Sequence, residues 1–91
     1  MTKIYISQAT TGREPDAVKR ERAVVIEGLS SRMEIAVVEP DAKGEGNDAQ
    51  RRMLALAGTD WAVFASGWEK DPACRMDEAD ARRLGKARHF M

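Results

Sequence analysis

Apolar residues gather in three short runs along the chain, and longer stretches with apolar positions at helical spacing separate these runs. Residues 3–7 form a β-branched and aromatic run, and residues 34–38 form a second short one. Residues 61–65 are apolar without alternation, which is expected of a central parallel strand covered on both faces. Residues 87–91 are predicted to form a short last strand.

Helices are predicted between these strands. The first begins at Pro15, which suits a first helical turn, and continues to residues 30–31. One stripe of this helix, facing the sheet, consists of Val18, Arg22, Val25, Ile26 and Leu29. The second helix begins with Asp48 as its N-cap and stops at Gly58. Its apolar residues are Met53, Leu54 and Leu56.

The third helix follows a loop at residues 69–72 and ends near Leu84. Cationic residues lie at its carboxyl end, where the helix dipole favours them: Arg82, Arg83 and Lys86. Residues 41–47 hold Gly44 and Gly46 among charges and are predicted to be a mobile loop. The order of strands and helices predicts an α/β fold for residues 1–91 as one domain. It is a small Rossmann-like or flavodoxin-like open parallel sheet of about four strands with three helices, in three layers.

Composition limits the kinds of partner that this chain is expected to bind. Lysine plus arginine number 15 and aspartate plus glutamate number 15, so no net field attracts a nucleic acid polymer or an anionic membrane. Cys74 is the single cysteine, no spacing indicates a metal site, and no other cofactor is indicated. The first residues form too short an apolar run for a signal peptide, which favours a cytoplasmic location. A chain of 91 residues buries a thin core, so a homodimer is the default expectation.

Candidate chemistry is expected outside the carboxyl ends of the strands, where open α/β sheets bind ligands. Asp77 is placed in about the first turn of the third helix, on the sheet-facing stripe with Ala81 and Leu84. It either serves a site or complements the helix dipole. Trp68 either stacks on a nucleobase or packs against the core.

Other polar residues are also candidates, and ordinary structural roles are open to them. The loop at residues 10–12 can offer hydroxyl and N–H groups to a sugar or phosphate, or can be an ordinary polar turn. Asp60 is interpreted as a turn residue before the third strand. His89 is interpreted as a structural or solvent-facing histidine, because no serine or cysteine motif accompanies it.

Four segments taken together resemble a known family: KIYIS at 3–7, DWAVF at 60–64, GWE at 67–69 and ARRLGK at 81–86. In this order they resemble the small bacterial and phage proteins of the nucleoside 2-deoxyribosyltransferase-like superfamily. The resemblance implies a nucleoside or nucleotide ligand at the carboxyl edge of the sheet. It also implies Asp77 as the catalytic residue, at the position of a glutamate that attacks the anomeric carbon in the catalytic relatives.

The chain departs from that pattern at three places: aspartate replaces glutamate at Asp77, Gln8-Ala9 replaces a glycine-proline pair, and Arg52 replaces an acid. The residues expected to bind the substrate are Ser7, Gln8, Thr10, Thr11, Arg52, Gly67, Trp68 and Arg75. Three functions stay open. The chain is an N-glycosidase or deoxyribosyltransferase, a non-catalytic nucleotide-binding module in which Arg52 favours a phosphorylated ligand, or an interaction protein without a small-molecule site.

Overall fold

The computed structural model describes residues 1–41 and 43–91, so one residue of the predicted loop at 41–47, Ala42, lies outside the described residues. The strands are β1 Thr2–Ser7, β2 Ile35–Val37, β3 Trp61–Phe64 and β4 Ala87–Phe90. All three strand pairs are parallel, and the order across the sheet is β2-β1-β3-β4. The predicted α/β fold with an open parallel sheet is therefore confirmed.

The helices are α1 Pro15–Ser30, α2 Asp48–Ala57 and α3 Pro72–Arg83, with a short 3-10 turn at Trp68–Lys70. Helix α1 packs on one face of the sheet, and helices α2 and α3 pack on the other. The α1 side of the sheet holds one apolar cluster, whose buried members are Ile4, Ile6, Val25, Leu29 and Val63. The other side, beneath α2 and α3, holds a second cluster, whose buried members are Tyr5, Ala55, Leu56, Ala62, Phe64 and Ala81. The three predicted layers are thus present.

Side-chain caps fix where α2 and α3 begin. Asn47, not Asp48, caps α2: its side chain accepts from the Gln50 backbone N–H, and the Gln50 side chain accepts from the Asn47 N–H. The predicted N-cap at Asp48 was wrong because this reciprocal pair satisfies two backbone donors, whereas Asp48 contributes only its charge to the first turn. Asp71 caps α3, accepting from the backbone N–H groups of Ala73 and Cys74.

Helix α2 does not bury all of the apolar residues that the sequence places in it. Leu56 is fully buried, but Leu54 is 64% exposed and Ala55 is buried in its place. Arg52 points its side chain inward, where it is 19% exposed. A charged residue on the sheet-facing side is unusual, and the site described below supplies its partner.

Asp60 and His89 both agree with their interpretation from the sequence, as a turn residue before β3 and a solvent-facing histidine. The Asp60 carboxylate accepts from the Lys3 backbone N–H at 2.9 Å, and the Asp60 N–H donates to the Lys3 carbonyl at 2.8 Å, which ties β1 to the start of β3. His89 is exposed and stacks on Trp61 with ring centroids 5.8 Å apart. In the described ranges, no helix combines the length and apolar character needed to cross a membrane.

Asp71 makes the stability of α3 depend on pH. Burial raises the pKa of its carboxyl, but hydrogen bonds from the backbone N–H groups of Cys74, Thr10 and Ala73 outweigh burial and lower the pKa. A lowered pKa gives stabilisation that is present above the ordinary carboxyl pKa of about 3.9 and is lost as pH falls through the folded-state value.

We therefore expect Asp71→Ala, which removes the capping oxygen, to lose about 1 kcal/mol of unfolding free energy at neutral pH, with the difference from wild type shrinking towards pH 3. Urea unfolding followed by circular dichroism across that range measures it. Asp16→Ala, which removes an exposed acid in the first turn of α1, is the control for removing a charge near a helix N-terminus. A loss at Asp71 no larger than that of the control would contradict a special role for the cap.

Candidate functional site

Asp77 lies in the second turn of α3, which begins at Pro72, slightly later than the predicted position in about the first turn. Asp77 is 2% exposed, and Ala81, one turn later on the same stripe, is fully buried. Leu84 packs against the same cluster. The predicted inward stripe is therefore confirmed. The second-turn position weakens the dipole interpretation of Asp77, because the dipole effect falls off within the first turn.

One oxygen of Asp77 receives three hydrogen bonds. The Ser7 hydroxyl donates to Oδ2 at 2.8 Å, the Tyr5 hydroxyl at 3.1 Å, and Nη2 of Arg52 at 2.5 Å. Tyr5 and Ser7 come from β1, and Arg52 comes from α2. Since alternate residues of a strand share a face, the spacing of Tyr5 and Ser7 places both hydroxyls beneath the same helices. The site thus joins β1, α2 and α3 through one carboxylate.

The charges in this cluster are strongly coupled. Burial raises the pKa of Tyr5, and the neighbouring Asp77 carboxylate raises it further, while Arg52 opposes both. Burial alone lowers the pKa of Arg52, but its hydrogen bond to Asp77 and the negative charges nearby outweigh burial and raise it. Tyr5 is therefore a neutral hydroxyl donor and Arg52 a permanent cation at ordinary pH.

A small cavity opens between the amino-terminal halves of α2 and α3 and reaches Asp77. Its volume is about 70 Å³, and its lining residues are Asp48, Ala49, Arg52, Ala73, Met76, Asp77 and Asp80. Among residues 1–41 and 43–91, no donor reaches Oδ1 of Asp77, and no buried side-chain nitrogen or oxygen lacks a partner. Oδ1 of Asp77 therefore keeps some exposed surface, and the Asp77 side chain lines the cavity.

Trp68 is not among the described residues that line this cavity. Its ring packs against Phe64 and Phe90, with both centroids 5.3 Å away. The side chain is half-buried and packs on the apolar cluster beneath α2 and α3. This geometry favours the packing alternative for Trp68. Gly67, just before it, has a φ of +88°, a conformation that glycine adopts without strain.

The loop after β1 is tied to two helices. The Thr10 backbone N–H donates to Asp71 at 3.3 Å, which links the loop to the start of α3. The Gln8 side chain donates to the Val18 carbonyl and to Glu21 of α1, each at 3.0 Å. Arg13 pairs with Glu21 at 2.9 Å. Gln8 and Thr10 therefore hold the loop in place by contacts within the chain.

Two other expected binding residues, Thr11 and Arg75, have exposed side chains. Neither lines the Asp77 cavity within the described ranges. Of the eight expected binding residues, Ser7 and Arg52 are brought to Asp77, since both bond to its Oδ2. Residues that sequence reasoning missed are Tyr5 and Asp71. Tyr5 carries a signal in its two-residue spacing from Ser7, and Asp71 in its place directly before Pro72, as an N-cap precedes a proline at the first helical position.

A larger cleft of about 310 Å³ lies on a different face of α2. It is lined by Glu39, Asp41, Gly44, Glu45, Arg51, Leu54 and Ala55. Asp77 is not among these residues. Within the described part of the chain, no group of three His, Cys, Asp or Glu side chains is arranged to hold a metal ion.

No family model matches the chain, and a search of curated proteins finds no significant match. The resemblance to the nucleoside 2-deoxyribosyltransferase-like superfamily stays a prediction.

The ion pair of Arg52 and Asp77 leads to a sharp expectation for stability. Removing one partner of a buried pair costs about 3–5 kcal/mol, because the other charge is left uncompensated. We expect Arg52→Met to lose that much unfolding free energy in urea, or to be unfolded. The neighbouring Arg51→Met, which loses only a hydrogen bond to the Gly46 carbonyl, is the matched control.

The double variant Arg52→Met/Asp77→Leu removes both charges, and we expect it to recover part of the lost stability. Recovery is incomplete because the buried Tyr5 and Ser7 hydroxyls lose their acceptor. Equal losses for Arg52→Met and Arg51→Met would show that the pair contributes little.

Tyr5 is the only tyrosine of the chain, so its titration can be read directly. Because its pKa is raised above the ordinary value of about 10, its stabilising effect is present below pH 10 and is lost as pH rises towards the folded-state pKa. We expect tyrosinate absorbance to stay absent at pH 10–11 in the folded protein and to appear with unfolding. The chain in urea supplies the unperturbed reference. Ionisation of the folded protein near pH 10 would contradict the burial of the Tyr5 hydroxyl beside Asp77.

Proposed function

We propose that this chain binds a nucleoside through its sugar at the carboxyl edge of the sheet, with Asp77 accepting a hydrogen bond from a sugar hydroxyl. The observation that carries the proposal is that the two oxygens of the Asp77 carboxylate differ in their hydrogen-bond partners. Oδ2 is held by three donors, whereas Oδ1 has no donor among the described residues and the side chain lines a cavity. An oriented acceptor of this kind suits a hydroxyl group.

The size of the cavity limits which part of the ligand enters it. Its volume of about 70 Å³ accommodates a hydroxyl or hydroxymethyl group, in the space of a few water molecules. Whole small-molecule pockets measure about 300–1,000 Å³. The base therefore lies outside the cavity, over the open surface between α2 and α3.

Charge favours a nucleoside over a nucleotide. The cavity is lined by three carboxylates, from Asp48, Asp77 and Asp80, and by one guanidinium, from Arg52. Arg52 already donates to Asp77 and to the Tyr5 hydroxyl, and it lies 3.8 Å from Asp48. A phosphate would meet more negative than positive charge here. The geometry thus supports an uncharged sugar hydroxyl better than the phosphorylated ligand expected from Arg52 in the sequence.

The sequence resemblance supports the nucleoside class, and the place of Asp77 beside Ser7, the last residue of β1, agrees with the rule for ligands in open α/β sheets. A cytoplasmic location remains part of the proposal, and the free, buried thiol of Cys74 is compatible with it.

Cleavage of the N-glycosidic bond is the second candidate function, and the uncommitted Oδ1 favours it. Oδ1 would bond to the anomeric carbon as the carbon–nitrogen bond breaks, and the bond's electron pair would go to the base nitrogen, which takes a proton from water. A second water would then release the sugar and regenerate the carboxylate. Binding is supported better, because the bound guanidinium of Arg52 withdraws charge from the same carboxylate.

Binding is tested by titrating the isotope-labelled protein with each of the four 2′-deoxynucleosides and their 5′-monophosphates, following backbone amide shifts by NMR. We expect shifts at Ala49, Ala73 and Asp77 with at least one nucleoside, and weaker ones with its monophosphate. Ala49→Leu fills the cavity while leaving the residue at position 77 unchanged, and it should abolish these chemical-shift changes. Ala79→Leu, on the exposed side of α3, is the matched control. No shifts at millimolar nucleoside, or shifts unchanged by Ala49→Leu, would overturn the proposal.

Cleavage is tested separately by chromatography of the same nucleosides after long incubation. We expect no free base to be released if the chain only binds. Base release that Asp77→Asn abolishes would establish the second candidate in place of simple binding.

A further inference from the structure

The outer side of β4 is an open edge of the sheet. Every residue of Ala87–Phe90 is exposed, and within the described residues the strand pairs only with β3. The Met91 N–H donates to the Phe64 carbonyl at 2.9 Å, towards β3. Because backbone groups of alternate residues point to opposite sides of a strand, Ala87 and His89 also face β3. Arg88 and Phe90 therefore direct their N–H and C=O groups outward.

The face of the sheet beside this edge is also open. The apolar cluster beneath α1 reaches Val63 and Trp61 of β3, and no described residue of β4 belongs to it. Parallel sheets are ordinarily covered on both faces. Here Met91 is 53% exposed and Val24, on the flank of α1, is 68% exposed. An open apolar face thus continues directly into an open hydrogen-bonding edge.

The charges that would protect this edge are engaged within the chain. Charged side chains on an edge strand ordinarily prevent another strand from pairing with it. Arg88 forms an ion pair at 2.7 Å with Glu78, a residue of α3. Lys86 donates its Nζ to the Ala57 carbonyl at 3.0 Å, at the end of α2. The chain has no net charge, so two copies do not repel one another overall.

We propose that a second copy of this chain pairs with β4 in the antiparallel sense, about a two-fold axis at His89, giving a continuous sheet of eight strands. In this register Arg88 lies opposite Phe90 of the second copy, and each such pair forms two backbone hydrogen bonds. Both pairs use only the outward N–H and C=O groups. The inference is independent of the nucleoside site.

The side chains of this register are complementary. Arg88 lies across from the ring of Phe90, which is 47% exposed and gives a cation a π face. Ala87 lies across from Met91 on the open face, so two apolar groups meet. A register centred on Arg88 would oppose two guanidinium groups. It would also use the Lys86 N–H, which already donates to the Ala81 carbonyl. Charge and hydrogen bonding both favour the axis at His89.

Light scattering and sedimentation of the full chain test the dimer, and we expect a mass twice that of the chain. Arg88→Pro removes an outward N–H and no bond to β3, so circular dichroism should be unchanged. We expect it to weaken dimerisation roughly tenfold or more, since two intermolecular hydrogen bonds are lost. Arg88→Ala removes the same side chain and ion pair but keeps the N–H, and it should remain dimeric.

Disulfide cross-linking tests the register. His89 lies opposite itself in a non-hydrogen-bonded pair, with Cα atoms about 4.5 Å apart, so His89→Cys should cross-link under mild oxidation. Ala87→Cys is the matched control on the same face. Its two copies would lie four residues apart along the strands, or about 13 Å, beyond the reach of a disulfide. Wild type, with only buried Cys74, should not react.

A monomeric mass at millimolar concentration would overturn the proposal. A dimer that Arg88→Pro leaves intact, or that cross-links through Ala87→Cys and not through His89→Cys, would overturn it as well.

Discussion

The buried carboxylate of Asp77 is the constraint on which the packing of this small domain depends. A charge that is 2% exposed needs a partner of opposite sign, and the partner comes from a different helix. Arg52 can reach it only if α2 turns that side chain towards the sheet, and Leu54 then faces solvent. Tyr5 and Ser7 complete the arrangement from β1. One charged atom thus sets the position of two helices on the central strand.

The same arrangement makes the packing and the proposed site hard to separate. The three donors hold the carboxylate in place, and the Asp77 side chain also lines the cavity. A substitution at Asp77 would therefore change the packing and the proposed site together. Cavity filling at Ala49 leaves the ion pair intact, and for this reason it separates the two effects better than any change of the charged residues.

Local patterns made much of the fold predictable from sequence. Apolar runs defined the first three strands, and the spacing of Asp77, Ala81 and Leu84 placed the carboxylate on the inward stripe of α3. Partners distant in sequence were not predictable in this way. Asp77 bonds to residues 25, 70 and 72 positions away, and no local period encodes those pairings. The exposure of Leu54 was unpredictable for the same reason, because a long-range ion pair turns Arg52 of α2 towards the sheet. Trp68 could be assigned only once β4 placed Phe90 beside it.

The loop that follows β1 is held from both sides, by Asp71 of α3 through Thr10 and by Glu21 of α1 through Gln8 and Arg13. Its conformational entropy is therefore lost when the chain folds and not when a ligand arrives. A molecule bound at this edge of the sheet meets a surface that is already ordered, so its affinity is not reduced by having to immobilise the loop. Association there should be governed by the fit of the ligand rather than by rearrangement of the protein backbone.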